Sequence, residues 1–149
     1  MNSRLKIVSF ENADIKHLIK GFLLWYKKNN TSQNKKSLTD HAIDLYEASD
    51  TSLYKLVSKN EVIGVFFLIE NKFFFEIGGG LIKKNLNPRN AYFVFDFAIN
   101  KCLKHKKQQL KLSVINKHYK YKSIIRYYSN YGFKILSIDE DSTLMSINV

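Results

Sequence analysis

A chain of 149 residues suits one domain and is long enough to bury a core. Hydrophobic residues make up 45% of it and aromatic residues 14%, which excludes a disordered chain. No apolar run approaches the ~20 residues that a membrane helix needs. The net charge is +11, but Lys outnumbers Arg by 21 to 3, and many lysines come as scattered pairs (Lys27-Lys28, Lys35-Lys36, Lys83-Lys84, Lys106-Lys107). That pattern reads first as a solvated basic surface, next as attraction for an anionic ligand, and last as a nucleic-acid footprint. Met1 to Lys6 lack the apolar core of a signal peptide, and the single cysteine, Cys102, forbids an internal disulfide. Both features suit a cytoplasmic protein, with Cys102 as a core thiol on the buried face of a helix.

Arg4 to Phe10 alternates apolar residues and reads as a first strand. Asn12 is placed to cap the following helix, with Asp14 in its first turn. Ile15, Leu18, Ile19, Phe22, Leu23 and Tyr26 keep helical spacing. Lys27 to Lys36 is polar and reads as a loop, and Ser37 or Thr39 starts a second helix. From Ser52 the period changes to two. Leu53 to Val57, Val62 to Glu70 and Phe73 to Gly80 form a meander, turned at Lys59-Asn60-Glu61 and at Asn71-Lys72. Asn87 and Pro88 have the chemistry of a helix start, for a helix running to about His105. Leu110 to Ile115 is a short buried strand. Tyr121 to Tyr131 is a helix that Gly132 stops. Phe133 to Ile138 is a strand, Asp139-Glu140-Asp141 a turn, and Leu144 to Val149 the last strand. The order β-α-α-β-β-β-α-β-α-β-β implies an α/β (α+β) protein with a mixed sheet and helices on both faces.

That order resembles the GNAT N-acyltransferase superfamily over nearly the whole chain. Two stretches carry the resemblance most directly. Tyr128-Ser129-Asn130-Tyr131-Gly132-Phe133 is similar to the family's Tyr-x-x-x-Gly-Phe helix ending. Glu61-Val62-Ile63-Gly64 to Leu68 is similar to its opening of the second meander strand. The resemblance implies transfer of an acyl group from acetyl-CoA, or another acyl-CoA, to a primary amine of a small molecule or peptide. It implies that Gly80, Leu81, Ile82 and Lys83 present backbone groups to the pantetheine arm, and that the phosphates lie among Lys83, Lys84, Arg89, Asn90, Ala91 and Tyr92. The family's phosphate loop, Gln/Arg-x-x-Gly-x-Gly/Ala, has no glycine here: the matching stretch is Asn85-Leu86-Asn87-Pro88-Arg89-Asn90-Ala91-Tyr92. Asn90 could supply a positive φ, since Asn tolerates it better than most residues, and Lys83, Lys84 and Arg89 offer charge in place of backbone donors.

The same resemblance places Tyr128 as the general acid for the leaving thiolate. Glu76, on the third meander strand, is the first choice for general base, and His118 the second. Tyr121 stands where many family members carry Asn, and Asn116 offers a substitute polar group. The acceptor would lie between Asn29 to Lys36 and Asp139-Glu140-Asp141. Gly78-Gly79-Gly80 matches no nucleotide-binding fingerprint and reads as a bulge or close backbone approach. The four histidines stand singly, without metal-ligand spacing, so no metal is expected. The partners implied are an amine acceptor, no membrane and no nucleic acid, with a homodimer left open. The competing reading is a GNAT-fold module that has lost catalysis and binds a protein or nucleic acid.

Overall fold

The computed structural model describes residues 5–28, 35–81 and 89–149. Within them run β1 (Leu5–Ser9), α1 (Ile15–Lys28), α2 (Lys35–Glu47), β2 (Thr51–Ser58), β3 (Glu61–Glu70) and β4 (Phe74–Leu81). Then come α3 (Arg89–Lys104), β5 (Gln109–Ile115), α4 (Tyr121–Tyr131), β6 (Lys134–Ile138) and β7 (Ser142–Asn148). This is the order expected from the sequence, with boundaries shifted by a residue or two. The helix start expected at Asn87 and Pro88 and most of the polar loop at 29–34 lie outside the described residues.

Local chemistry explains the turns. Lys59 and Asn60 have φ of 52° and 63°, the left-handed pair that a two-residue hairpin needs to match strand twist. The start of α1 differs from expectation. Asn12 does not cap it; Asn12–Asp14 is a 3-10 turn with Glu11 at the cap position. The Asp14 carboxylate reaches back to accept the Glu11 N–H at 2.9 Å. The same carboxylate is buried and meets Lys55 Nζ of β2 at 2.9 Å. The pull of β2 therefore decides which acid closes the turn.

All seven strands join one sheet in the order β1-β2-β3-β4-β5-β7-β6. Every pairing is antiparallel except β4 with β5. Neighbouring residues of β3 point to opposite faces and define two cores. Val65 packs with Leu18 of α1 and Ala42 of α2. Phe66 packs with Val94, Phe95, Ala98 and Cys102 of α3 and with Phe133 and Met145. Cys102 is fully buried, and desolvation pushes its thiol pKa up. At the far edge, β6 is exposed along its whole length and carries a bulge between Ile135 and Ser137. No helix among the described residues is long and apolar enough to cross a membrane.

Asp14 yields a prediction. Burial alone would raise its pKa, but the hydrogen bonds from Lys55 and the Glu11 N–H outweigh that and hold it below the ordinary value. A depressed folded-state pKa gives stability that is present above the unfolded value and lost as pH falls through the folded one. Asp14→Asn should therefore cost about 1–3 kcal/mol at neutral pH, and the gap to wild type should shrink as pH drops below about 4. Urea denaturation at pH 7 and pH 3.5 checks both.

Candidate active site

The sheet opens between its two parallel strands. β4 and β5 pair over three positions only: Phe74 with Gln109, Phe75 with Leu110, and Glu76 with Lys111. The closed end is fastened hard. Gln108 N–H bonds Phe73 O at 2.7 Å, and Lys107 Nζ bonds Asn71 O at 2.8 Å and Glu70 Oε2 at 2.9 Å. Beyond Glu76 the strands part, and a cavity of about 300 Å³ fills the divergence. Its walls include Ile77 to Gly80 of β4, Leu112 and Ser113 of β5, Ala91, Val94 and Phe95 of α3, and Tyr128 of α4. Past the last rung, facing N–H and C=O groups of β4 and β5 no longer bond each other. They stand beside apolar walls, and a polar chain laid between them could use them.

The glycines at the end of β4 shape this wall differently. Gly79 has φ of +104°, and a Cβ there would lie 2.4 Å from Val65 O. It is glycine because β3 approaches so closely, as the close-approach reading expected. A Cβ at Gly80 would meet nothing within 4 Å. Gly80 therefore borders open space beside the cavity.

Tyr128 reaches the cavity from the last turns of α4. That helix ends in a Schellman arrangement: Phe133 N–H bonds Tyr128 O at 3.1 Å and Gly132 N–H bonds Ser129 O at 3.1 Å, with Gly132 at φ +132°. Phe133 then drops into the core. The Tyr128 ring meets Phe95 edge-on, with centroids 5.3 Å apart. Desolvation raises its hydroxyl pKa, so the group holds its proton at neutral pH. Tyr127 stacks on Tyr92 at 4.5 Å, and its own hydroxyl is pushed up to about 12, by burial first and then by the Tyr92 and Tyr128 hydroxyls.

The expected site residues separate into groups. Gly80, Ala91 and Tyr128 line the cavity. Leu81 ends β4 opposite Gly64. Ile82, Lys83 and Lys84 lie outside the described residues. Arg89 and Asn90 open α3, with Asn90 in helical conformation and without the positive φ anticipated for it. A first-turn residue needs no such φ, and its N–H is one of the donors a helix start leaves free. Tyr92 turns to α4, where its hydroxyl donates to Tyr127 O at 3.1 Å. Glu76 occupies the last paired rung, and alternation with buried Phe75 and Ile77 puts it on the α1–α2 face. Tyr128 sits on the other face.

The remaining polar candidates are engaged in structure. His118 Nδ1 accepts the Lys120 N–H at 3.0 Å, and its ring stacks on Tyr119. Asn116 does not face the cavity. Its Nδ2 donates to Asp139 O at 2.8 Å and its Oδ1 accepts from Thr143 Oγ1 at 2.7 Å, which in turn lies 2.6 Å from the Tyr121 hydroxyl. Asp139 builds its own turn, accepting the N–H groups of Asp141 and Ser142; those bonds hold its carboxyl below the ordinary value. Among the described residues, no group of three or more His, Cys, Asp or Glu could hold a metal. Sequence reasoning missed Ile77, Val94, Phe95 and Leu112 as cavity walls. Their apolar spacing marks them as core, and only the loss of pairing between β4 and β5 makes them a lining.

No family model matches the sequence, and no curated protein matches it. Solved structures do match. A GNAT-family acetyltransferase from Staphylococcus aureus Mu50 superposes with a TM-score of 0.77 at 16% identity, covering 97% of this chain and 98% of that one. The PaiA N-acetyltransferase of Thermoplasma acidophilum, solved in complex with coenzyme A, gives 0.73 at 17% identity, covering 97% and 99%. A variant of the spermidine N-acetyltransferase SpeG of Vibrio cholerae gives 0.74 at 14% identity, covering 99% and 95%. The chain therefore has the GNAT acyl-CoA N-acyltransferase fold.

The two glycines make a paired test. Gly79→Ala should lose about 2 kcal/mol or more, from a strained φ and a clash with β3. Gly80→Ala should change stability by no more than about 0.5 kcal/mol. Chemical denaturation of the two variants beside wild type reads the difference.

Proposed function

We propose that this chain is a GNAT-superfamily N-acyltransferase, one domain over 1–149, that moves an acyl group from an acyl-CoA to a primary amine in the cytoplasm. The observation that carries the reading is the cavity between the parted ends of β4 and β5, closed by α3 and by Tyr128. The residues there suit the donor. Gly80 and Leu81 pair with β3 on one side and have no β5 rung on the other, and with Ile82 and Lys83 their backbone is assigned to the pantetheine arm, much as an added strand completes a sheet edge. Gly80 leaves space for it. Lys83, Lys84, Arg89, the N–H groups of Asn90 and Ala91 in the first turn of α3, and the neighbouring Tyr92 are assigned to the phosphates. Acetyl-CoA, when bound, supplies the thioester whose acyl carbon the amine attacks.

The opening in the sheet gives the two catalytic assignments a physical logic. Glu76 and Tyr128 stand on opposite faces, and an unbroken sheet would keep them apart. Past the last rung the strands no longer pair, and the reading has donor and acceptor meet there from the two sides. Glu76, which makes no ion pair among the described residues, takes the proton from the acceptor ammonium. Tyr128 gives its proton to the sulfur as the C–S bond breaks. The acceptor is a small-molecule or peptide amine. SpeG, among the structural neighbours, is a spermidine N-acetyltransferase, and a polyamine is the first acceptor to try.

Calorimetric titration with acetyl-CoA should give a saturable signal. No heat at millimolar donor, together with salt-dependent retention on nucleic acid, would instead favour a binding module that has lost catalysis. Native mass spectrometry of the purified protein should show co-purified coenzyme A or an acyl form. Tyr128→Phe should lower kcat by about 10²-fold while leaving donor affinity within about twofold. An acid whose pKa is raised is lost only as pH climbs past that raised value. Wild-type kcat should therefore show no alkaline fall from Tyr128 below about pH 10.

A further inference from the structure

We propose that Asp96 and Tyr131 are positioning residues for Tyr128, a clamp between α3 and α4 that holds the Tyr128 hydroxyl at the open end of the β4–β5 gap. This rests on the acyltransferase reading above. The starting observation is that α4 has no fully buried residue. Tyr121, Ile124, Ile125, Tyr128 and Tyr131 pack against the core but each stays partly exposed, so directional contacts add to what packing fixes.

At the start of α4 the Tyr121 hydroxyl lies 2.6 Å from Thr143 Oγ1 of β7, and at its C-terminal end the polar contacts run to α3. The Tyr131 hydroxyl donates to Asp96 Oδ1 at 2.6 Å, a short bond to a carboxylate of the stronger kind. The Tyr92 hydroxyl donates to Tyr127 O at 3.1 Å, and its ring stacks on Tyr127. Tyr131 lies three residues beyond Tyr128, on the same side of the helix. Both rings rest on Phe95, with centroids at 5.0 Å and 5.3 Å. Fixing Tyr131 thus fixes the ring pair of which Tyr128 is the other half.

Asp96 itself has no core duty. It lies beside, not on, the buried stripe of Val94, Phe95, Ala98 and Cys102, and is exposed. An exposed hydrogen bond adds little to global stability. Its sharper effect is on alignment, where a displacement of about 1 Å costs up to 10²-fold in rate. α3 is also the helix whose first turn is assigned to the donor phosphates, so one rigid element would register donor and acid together.

The test begins without ligand. In protein carrying ¹³C-labelled Tyr and Phe, wild type should show cross-relaxation between the Tyr128 and Phe95 rings. Asp96→Ala and Tyr131→Phe should weaken or lose it, and Asp96→Asn, which keeps an acceptor oxygen, should largely restore it. With acetyl-CoA and spermidine as probes, the first two variants should lose about tenfold in kcat, with KM for acetyl-CoA within about twofold. Asp96→Asn should recover most of that kcat. Ring contacts unchanged in both Asp96→Ala and Tyr131→Phe would overturn the clamp, as would an Asp96→Asn no better than Asp96→Ala. If wild type turned over no amine, the acyltransferase reading would fail, while the ligand-free ring contacts would still decide whether the clamp exists.

Discussion

Everything in this molecule depends on the short seam between β4 and β5. Three rungs join an antiparallel half made of β1 to β4 with one made of β5, β7 and β6. One end of the seam is tied by Lys107, Gln108 and the Phe73 and Asn71 carbonyls, so the strands cannot slide. The other end is free, and sheet twist carries the strands apart. Crossover helix α3 spans the two halves and roofs the divergence. A wider seam would erase the cavity, and a weaker tie at Lys107 would let the halves drift.

Around that seam the chain puts its rigidity where aim matters. α4 is tethered at both ends by hydroxyls. At its start, Tyr121 joins the buried Thr143 and Asn116, which binds the β6–β7 turn to the end of β5. At its end, Tyr131 reaches Asp96 and Gly132 closes the helix. A residue in the middle of such a helix inherits its direction from the two ends. The abundance of tyrosine in this region is thus geometric as much as hydrophobic, since each ring packs while its oxygen ties.

Much of this was legible in the sequence, for identifiable reasons. The meander announced itself through period-two alternation and Lys59-Asn60, and the end of α4 through Gly132 before Phe133. The face of Glu76 was not legible. Alternation fixes faces only relative to a known neighbour, and the burial of Phe75 and Ile77 settles it. Asn116 looked available for a ligand because sequence cannot show that Thr143 and Asp139 already engage it. The cap at Asn12 failed for a similar reason: Lys55, some forty positions away, draws Asp14 into the turn. The hydrogen bond from the Tyr92 hydroxyl to Tyr127 O was equally hidden. These are tertiary contacts, and they outvote local propensity wherever a polar side chain has two partners within reach.

The last strand pair leaves a physical oddity. β6 lies at the sheet's rim with Ile135, Leu136 and Ile138 exposed at 45%, 49% and 62%. Apolar side chains beside an unpaired backbone row are the ingredients of runaway strand addition. The bulge at Leu136 inserts an extra residue into that row, bends the strand and breaks the regular spacing a second strand would need. A single irregular peptide thus makes the most exposed of the described strands a poorer template for strand addition.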